Sequence, residues 1–489
     1  MTCFERKKLL SIIFLSTLVS TNVLATNGMN LEGYGPVATA MGGASMAYDN
    51  GTAAVMNNPA TIGLMDVPHR LDVALGNLGP DVTATMETFN MSADSSATSF
   101  IMPAVGWVIR DGRMTYGAGI FAQGGMGTEF GSDSWMSNPG QQATSPALVN
   151  RSEVGVGRAL IPLTYQVNEQ LIVGGSVDFV WAGMDLQMGM NAAQFEDLAD
   201  SLSGNGQTMG TASGSLVNGF GDLYQPFGGT GISRLDYAYF DFSNSSDFTG
   251  EAKGTGFAGK LGLTFKVNDM VSIGATYHSK TNMSDLETSN ATMTMAIEGD
   301  QGLMGGGAST GAVEMVIPVT GEITVNDFQW PSTMGIGLAV KPMKRVMLVA
   351  DVKIIGWSDV MKNFDMTFKA DNTAANGNFA GAEMDMKLYQ NWDDQTVYSV
   401  GGAFAVTDEL TIRGGANRGK NPVPAKYLNA LFPAVVQNHV TAGAGYKLKG
   451  GSSFDLSLTK ALEAEVTSAG YVTSSHSQFS WQFMYSYVY

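Results

Sequence analysis

The chain has 489 residues, a formal net charge of −17, 15% charged residues and 61 glycines, with a mean hydropathy of +0.03. So neutral a hydropathy with so little charge excludes intrinsic disorder, and the acidic excess excludes nucleic acid as a partner. Past the N-terminus no run of about 18 apolar residues occurs, which excludes a bundle of membrane helices; the lone cysteine, Cys3, provides no disulfide framework and no thiolate metal site.

Residues 1–25 read as an export signal. Arg6-Lys7-Lys8 is the basic region, Leu9 to Val19 the apolar one, and Val23-Leu24-Ala25 the small-residue cleavage site, so the mature chain is expected to begin at Thr26. Residues 26–67 are rich in small side chains and do not alternate. A compact segment ahead of a wide barrel is expected to plug it, because an open lumen of that width would leak.

From residue 68 onward the chain alternates with period two. Leu261, Leu263, Phe265 and Val267 share one face, with Gly262, Thr264 and Lys266 on the other. Val177, Phe179 and Trp181 oppose Ser176 and Asp178, and Phe479, Trp481, Phe483, Tyr485, Tyr487 and Tyr489 all share one parity. Successive strand side chains point to opposite faces. Aromatics gather at strand ends and the second face is Gly, Ser, Thr and charge, the outward-apolar pattern of a barrel in lipid. Short turns at Asp111-Gly112, Asn168-Glu169, Asn268-Asp269, Pro342 to Lys344, Asp408-Glu409 and Lys449 to Gly451 separate two-strand units. The count predicts an all-β, fourteen-stranded antiparallel transmembrane barrel over residues 68–489. Its strands are expected near 69–90, 97–110, 113–130, 151–167, 170–187, 252–267, 270–286, 325–341, 345–365, 384–406, 410–420, 438–449, 452–465 and 475–489. Residues 188–251 and 287–324 are expected as long extracellular loops, the first with a helix from Ala192 to Leu202.

The stretch from Gly35 to Ala60, ending in Asn58-Pro59-Ala60, resembles the N-terminal hatch of the FadL-type outer-membrane transporters of long-chain fatty acids and other hydrophobic compounds. Pro422 to Pro433, Phe328-Gln-Trp-Pro331 and Gly356-Trp-Ser358 resemble the same family, and the likeness runs over nearly the whole mature chain. It implies a fourteen-stranded barrel, a hatch over residues 26–67 and diffusion-driven uptake of hydrophobic molecules.

Enzymatic chemistry is not expected. No G-x-S-x-G elbow occurs, and His278 and Ser279 are neighbours on a strand, so they face opposite ways. No cofactor and no metal site is read. Parity turns Arg158, Lys260, Lys353 and Arg413 inward, where a cation attracts a carboxylate head group; pairing with Asp178, Asp351 or Asp455 is the structural alternative. Gly124 and Gly125 are expected to break the third strand, which opens the wall for sideways release, an exit also implied by the family likeness. Met29, Met41, Met46 and Met56 are candidates to line a path for varied apolar ligands. The sequence thus reads as a monomeric barrel of the cell outer membrane for passive uptake, foremost of long-chain fatty acids. Aromatic or alkane hydrocarbons are the alternative, and a structural or adhesin barrel the alternative of another class. Expected partners are the ligand, outer-membrane lipid and the barrel assembly machinery.

Overall fold

The computed structural model describes residues 27–139, 147–199, 207–223, 231–246 and 249–489. The export signal read in residues 1–25, and Leu202 of the expected helix, lie outside the described residues. Among the described residues 23 strand segments join one antiparallel sheet, with few and short helices. None is long and apolar enough to cross a membrane.

The sheet closes on itself. His69–Leu78, with Pro80–Met86 as its continuation, pairs with Phe100–Asp111 on one side and with the terminal strand Val472–Val488 on the other. Met114–Phe130, Asn150–Gln166, Leu171–Asn191 and Ala252–Lys266 follow in order. Val271–His278, Thr333–Met343, Val346–Ile355 and Gln395–Ala405 come next. Leu410–Gly419, Asn438–Lys447 and Ser453–Thr467 complete the circuit to the terminal strand.

Alternation explains the wall. Ile161, Val177 and Leu261 are 69%, 64% and 67% exposed, while Leu160, Asp178 and Lys260 beside them are buried. A continuous belt of exposed Val, Leu, Ile and aromatic side chains is costly in water and favourable in hydrocarbon. The short turns are built by side chains that replace missing backbone partners. Asn168 Oδ1 accepts from the N–H groups of Gln170 and Leu171, both at 2.8 Å, and Asn268 Oδ1 repeats this with Met270 and Val271.

The two long segments expected as loops are largely folded, which corrects the boundaries above. Residues 188–251 carry helix Ala192–Ala199, strand Gly210–Ser213, helix Ser215–Leu223 and strand Ile232–Phe242. Residues 287–324 fall in a hairpin of Leu286–Gly299 and Val313–Asn326 around the short helix Gln301–Met304. With Asn363–Ala370 and Glu383–Tyr389 these strands extend the sheet beyond the wall. Met293, Met295 and Ile297 do alternate there, but they turn toward the protein core, so the lipid-facing pattern that marks the wall is missing. The strands expected at 345–365 and 384–406 are each broken. Gly356 begins a 3-10 turn around Trp357, whose buried ring packs edge-to-face on Trp330 and on Trp392.

Residues 27–67 sit against the inner faces of strands around the circuit. Ser45 N and Met46 N donate to Asp351 Oδ2 at 2.6 and 3.2 Å, Thr52 N to Asp72 Oδ2 at 2.8 Å, and Gly42 N to Thr441 Oγ1 at 2.9 Å. Thr459 Oγ1 donates to Glu32 Oε1 at 2.8 Å, and His278 Nε2 lies 2.9 Å from Asn57 O. Irregular backbone cannot bond itself, so wall side chains satisfy it.

Candidate functional site

The strand Met114–Phe130 has two unlike edges. Toward Asn150–Gln166 it is paired to its end, Phe130↔Asn150, with one shift of register between Ala122 and Gly124. Toward Phe100–Asp111 the pairing stops at Val105↔Ile120, although Phe100 to Ala104 stay paired with the first strand on their other side. Hydrogen bonding between the two edges resumes where Ser96 N donates to Glu129 O at 2.8 Å and Glu129 N to Ser95 Oγ at 3.0 Å, and between these points the Phe100 ring lies over Gly127. The wall therefore has a window, about 30 Å long along the strand at the usual rise per residue.

The N-terminal segment supplies the bonds the neighbour withdraws. Asn30 forms a bridge with Gly124, and Gly125 N donates to Met29 O at 3.1 Å. A Cβ on Gly124 would run into Met29 O, and one on Gly125 into Val154 O, so these glycines admit backbone from both sides. The displaced residue at the shift is Gln123. It turns inward, with Nε2 2.8 Å from Asn30 Oδ1 and 2.6 Å from Tyr34 Oη. Trp330 Nε1 donates to the same Asn30 oxygen at 2.9 Å. The sequence placed a break at Gly124 and Gly125; it gave no sign that Gln123, Asn30 and Trp330 build the opening.

A cavity of ≈ 540 Å³ lies behind the window. Ile101, Met102 and Pro103 border it on one side of the gap and Phe121, Ala122 and Met126 on the other, with Met29 and Leu31 from the N-terminal segment and Pro433 and Ala434 from the segment 420–437. That last segment folds inward. Leu431 O accepts from Thr128 Oγ1 at 3.0 Å and also from Ser152 Oγ, and Val435 and Val436 are fully buried. The ionisable residues bordering the cavity are Glu32, Glu153, Lys253 and His476.

The four inward cations lie elsewhere and are engaged. Arg158 Nη1 is 2.8 Å from Asp178 Oδ2, and Lys260 Nζ bonds the same oxygen. Arg413 Nη1 is 2.8 Å from Asp455 Oδ1. Lys353 Nζ donates to Gly43 O at 2.9 Å and to Glu32 O at 3.4 Å. Parity turned each of them inward as expected; none borders the cavity. Asn58, Pro59 and Ala60 anchor the N-terminal segment to the wall. Asn58 Nδ2 donates to Met46 O at 2.7 Å and Leu263 O at 3.1 Å, its Oδ1 accepts from Ala60 N, and Pro59 O accepts from Thr164 Oγ1 at 3.0 Å. Of the four methionines, Met29 borders the cavity; Met41, Met46 and Met56 are buried in packing.

A closed antiparallel barrel with a lipid-facing belt and an apolar chamber behind a gap defines an outer-membrane channel for hydrophobic compounds. The family model described as outer membrane protein transport protein (OMPP1/FadL/TodX) matches residues 12–486, and the chain belongs to that family, one of transport channels. The toluene transporter TodX of Pseudomonas putida is 29% identical, with a TM-score of 0.76 over 94% of this chain and 99% of its own. The toluene transporter TbuX of Ralstonia pickettii is 28% identical, with a TM-score of 0.72 over the same shares. A FadL homologue of Pseudomonas aeruginosa, 15% identical with a TM-score of 0.64 over those shares, is alike in fold. A Chlorobium limicola protein, described as an uncharacterized protein in phosphoenolpyruvate carboxykinase gene 5'region, is 48% identical over 80 residues. That match takes in 16% of this chain and 39% of the relative, so the chain spans well under two thirds of that curated relative's length.

Proposed function

We propose that the protein is a passive channel for small uncharged hydrophobic molecules, aromatic hydrocarbons foremost, which collect in the cavity and leave sideways into lipid through the window. We read the wall as fourteen strands crossing the outer membrane, with the short turns periplasmic and residues 26–67 as a hatch that stays in place. The circuit of pairings and the six short turns support that count. A window flanked by lipid-facing strands lets an apolar ligand avoid water on its way out.

The observation that carries the substrate class is the charge of the cavity lining. Two carboxylates, Glu32 and Glu153, border it against one lysine, Lys253. Glu153 is itself paired with Arg151 at 2.7 Å, so a fatty acid head group entering there finds Lys253 as the one cation among the described residues bordering the cavity and gains little ion pairing from the lining. The expected long-chain fatty acid substrate relied on Arg158, Lys260, Lys353 and Arg413, whose charges are already met by Asp178, the Gly43 carbonyl and Asp455. The toluene transporters at 28–29% identity support the same reading.

The test is calorimetric binding of toluene, laurate and methyl laurate to the purified full-length chain in detergent. Toluene is expected to bind, and methyl laurate to bind more tightly than laurate. Tighter binding of laurate, lost in Lys253→Ala, would return the channel to carboxylates.

A further inference from the structure

The cavity continues beyond the lumen. On Asn150–Gln166 the side chains of Val154 and Val156 are buried and turn inward, while Gly155 is exposed on the outer face, as Ile161 is. On Leu171–Asn191 Val177 and Phe179 face lipid, and Trp181 and Gly183 share their parity. Gly155, Gly157, Trp181 and Gly183 border the same cavity as Met29 and Val156, so the space passes through the window onto the outside of the wall. The register lays out the route. Ala122 beside the free edge pairs with Gly157, and Gly157 with Trp181, two strand spacings or about 10 Å.

The indole leans back along that route. A Cβ on Gly157 would meet Trp181 Cζ2 at 2.2 Å and Cε2 at 2.4 Å, which is why Gly157, on the outer face, is nonetheless buried. A Cβ on Gly155 would meet nothing within 4 Å. The belt of large apolar side chains is thus interrupted by an open trough with a glycine floor and one aromatic wall. Among the described residues Trp181 is the one tryptophan that borders the cavity.

We propose that this trough is a second binding station, on the lipid side of the window, for flat aromatic molecules, with Trp181 as the residue that recognises the ring. The idea rests on the reading of the cavity as a route for small uncharged aromatics and adds a stop after the window. A lipid tail or a saturated ring gains only dispersion there, whereas an aromatic ring adds an offset or edge-to-face contact with the indole. The glycines let that ring lie close to the backbone. A molecule held in the trough has left the lumen without yet dispersing in the bilayer, so release is divided into two short steps.

Quenching of tryptophan fluorescence by bromobenzene, on the full-length chain in detergent, is the experiment. Wild type is expected to show a saturable component. Toluene should displace it about two- to tenfold more readily than methylcyclohexane, each corrected for its partition into the micelle, the worth of one aromatic pair. Trp181→Phe removes the reporter and should remove the component. Gly155→Leu fills the trough with a side chain that suits lipid, keeps Trp181, and should abolish the component too. Saturable quenching that persists in either variant overturns the proposal. Equal displacement by toluene and methylcyclohexane also overturns it and leaves the trough a bed for acyl chains. Should Gly155→Leu fail to fold, that comparison in wild type decides. Absence of the component in a wild type that still binds toluene by calorimetry overturns the station alone; failure to bind toluene at all would instead overturn the channel reading beneath it.

Discussion

The two edges of Met114–Phe130 share one backbone and have different fates. One edge runs paired to the strand's end; the other is abandoned after Ile120. The strand itself is not weak, since it stays extended and bonded on its far side. The neighbour, Phe100–Asp111, keeps its pairing with the first strand and withdraws on this side alone. Pro103, which has no N–H to give, stands on the freed stretch. The N-terminal segment then occupies part of the freed edge through Met29 and Asn30. An opening in a sheet thus need not be a defect of one strand; it can be a substitution of one partner by another.

The largest effect is expected where both edges are struck together. Gly124→Val with Gly125→Val drives new side chains into Met29 O and Val154 O, and overpacking of this kind costs about 1–3 kcal/mol per site. The N-terminal bridge and the paired edge should both give way, and uptake of labelled toluene into proteoliposomes should fall about tenfold or more. Uptake equal to the parent's would mean the window is not the way out.

Next comes the anchor of the same segment on a distant wall strand. Asp351→Ala leaves the N–H groups of Ser45 and Met46 without their acceptor, about 1–3 kcal/mol. Protease cleavage within residues 27–67 should quicken while the barrel keeps its heat-modifiable migration on gels. Unchanged cleavage would show that the segment does not depend on this carboxylate.

A smaller and local change is expected at Asp300, far from either edge. Hydrogen bonds from Ser309 Oγ, then from Thr310 N and Leu303 N, hold its carboxyl well below the usual carboxylate range. A depressed value means the ionised form is favoured by the fold, so its contribution is complete above the usual carboxylate pKa and is lost only as pH falls through the depressed one. Amide exchange over 300–311, corrected for intrinsic rate, should therefore stay slow down to about pH 4, whereas Asp300→Ala should speed it at every pH and leave uptake alone. Loss of protection already near pH 5, in the unaltered chain, would contradict this.

The smallest expected effect is none. A Cβ on Gly174 would sit 3.1 Å from Ala60 Cα, so Ala60→Cys with Gly174→Cys can lock the lower N-terminal segment to the wall. Sideways release predicts equal uptake in the oxidised and reduced forms. A drop on oxidation would move the route into the lumen.

Much of the wall was legible because lipid imposes a strict period of two, and Ile161, Val177 and Leu261 obey it. Parity alone also turned Arg158 and Lys260 inward. Asp178 stood among the carboxylates named as structural partners, and it is the one they meet; spacing left open whether a wall carboxylate or a ligand would be met, since Asp178 lies on a different strand and pairing across a sheet is not written in local spacing. The upper strands were hidden because Met293 and Met295 alternate against protein rather than lipid, and the segment 287–324 is rich in Gly. Gly124 and Gly125 were visible; their partners Met29 and Asn30, nearly a hundred residues earlier, were not.

The first strand pairs with the last, Arg70↔Val488, and this has a kinetic consequence. The final seam joins residues more than four hundred positions apart, so it pays a large loop-closure entropy and contributes to a high contact order. No shorter piece of the chain can present a sheet without free edges. Until the last residues arrive, two unpaired edges remain exposed at once, each a template for another chain. A chain truncated before Val472 is therefore expected to aggregate rather than fold as a smaller barrel.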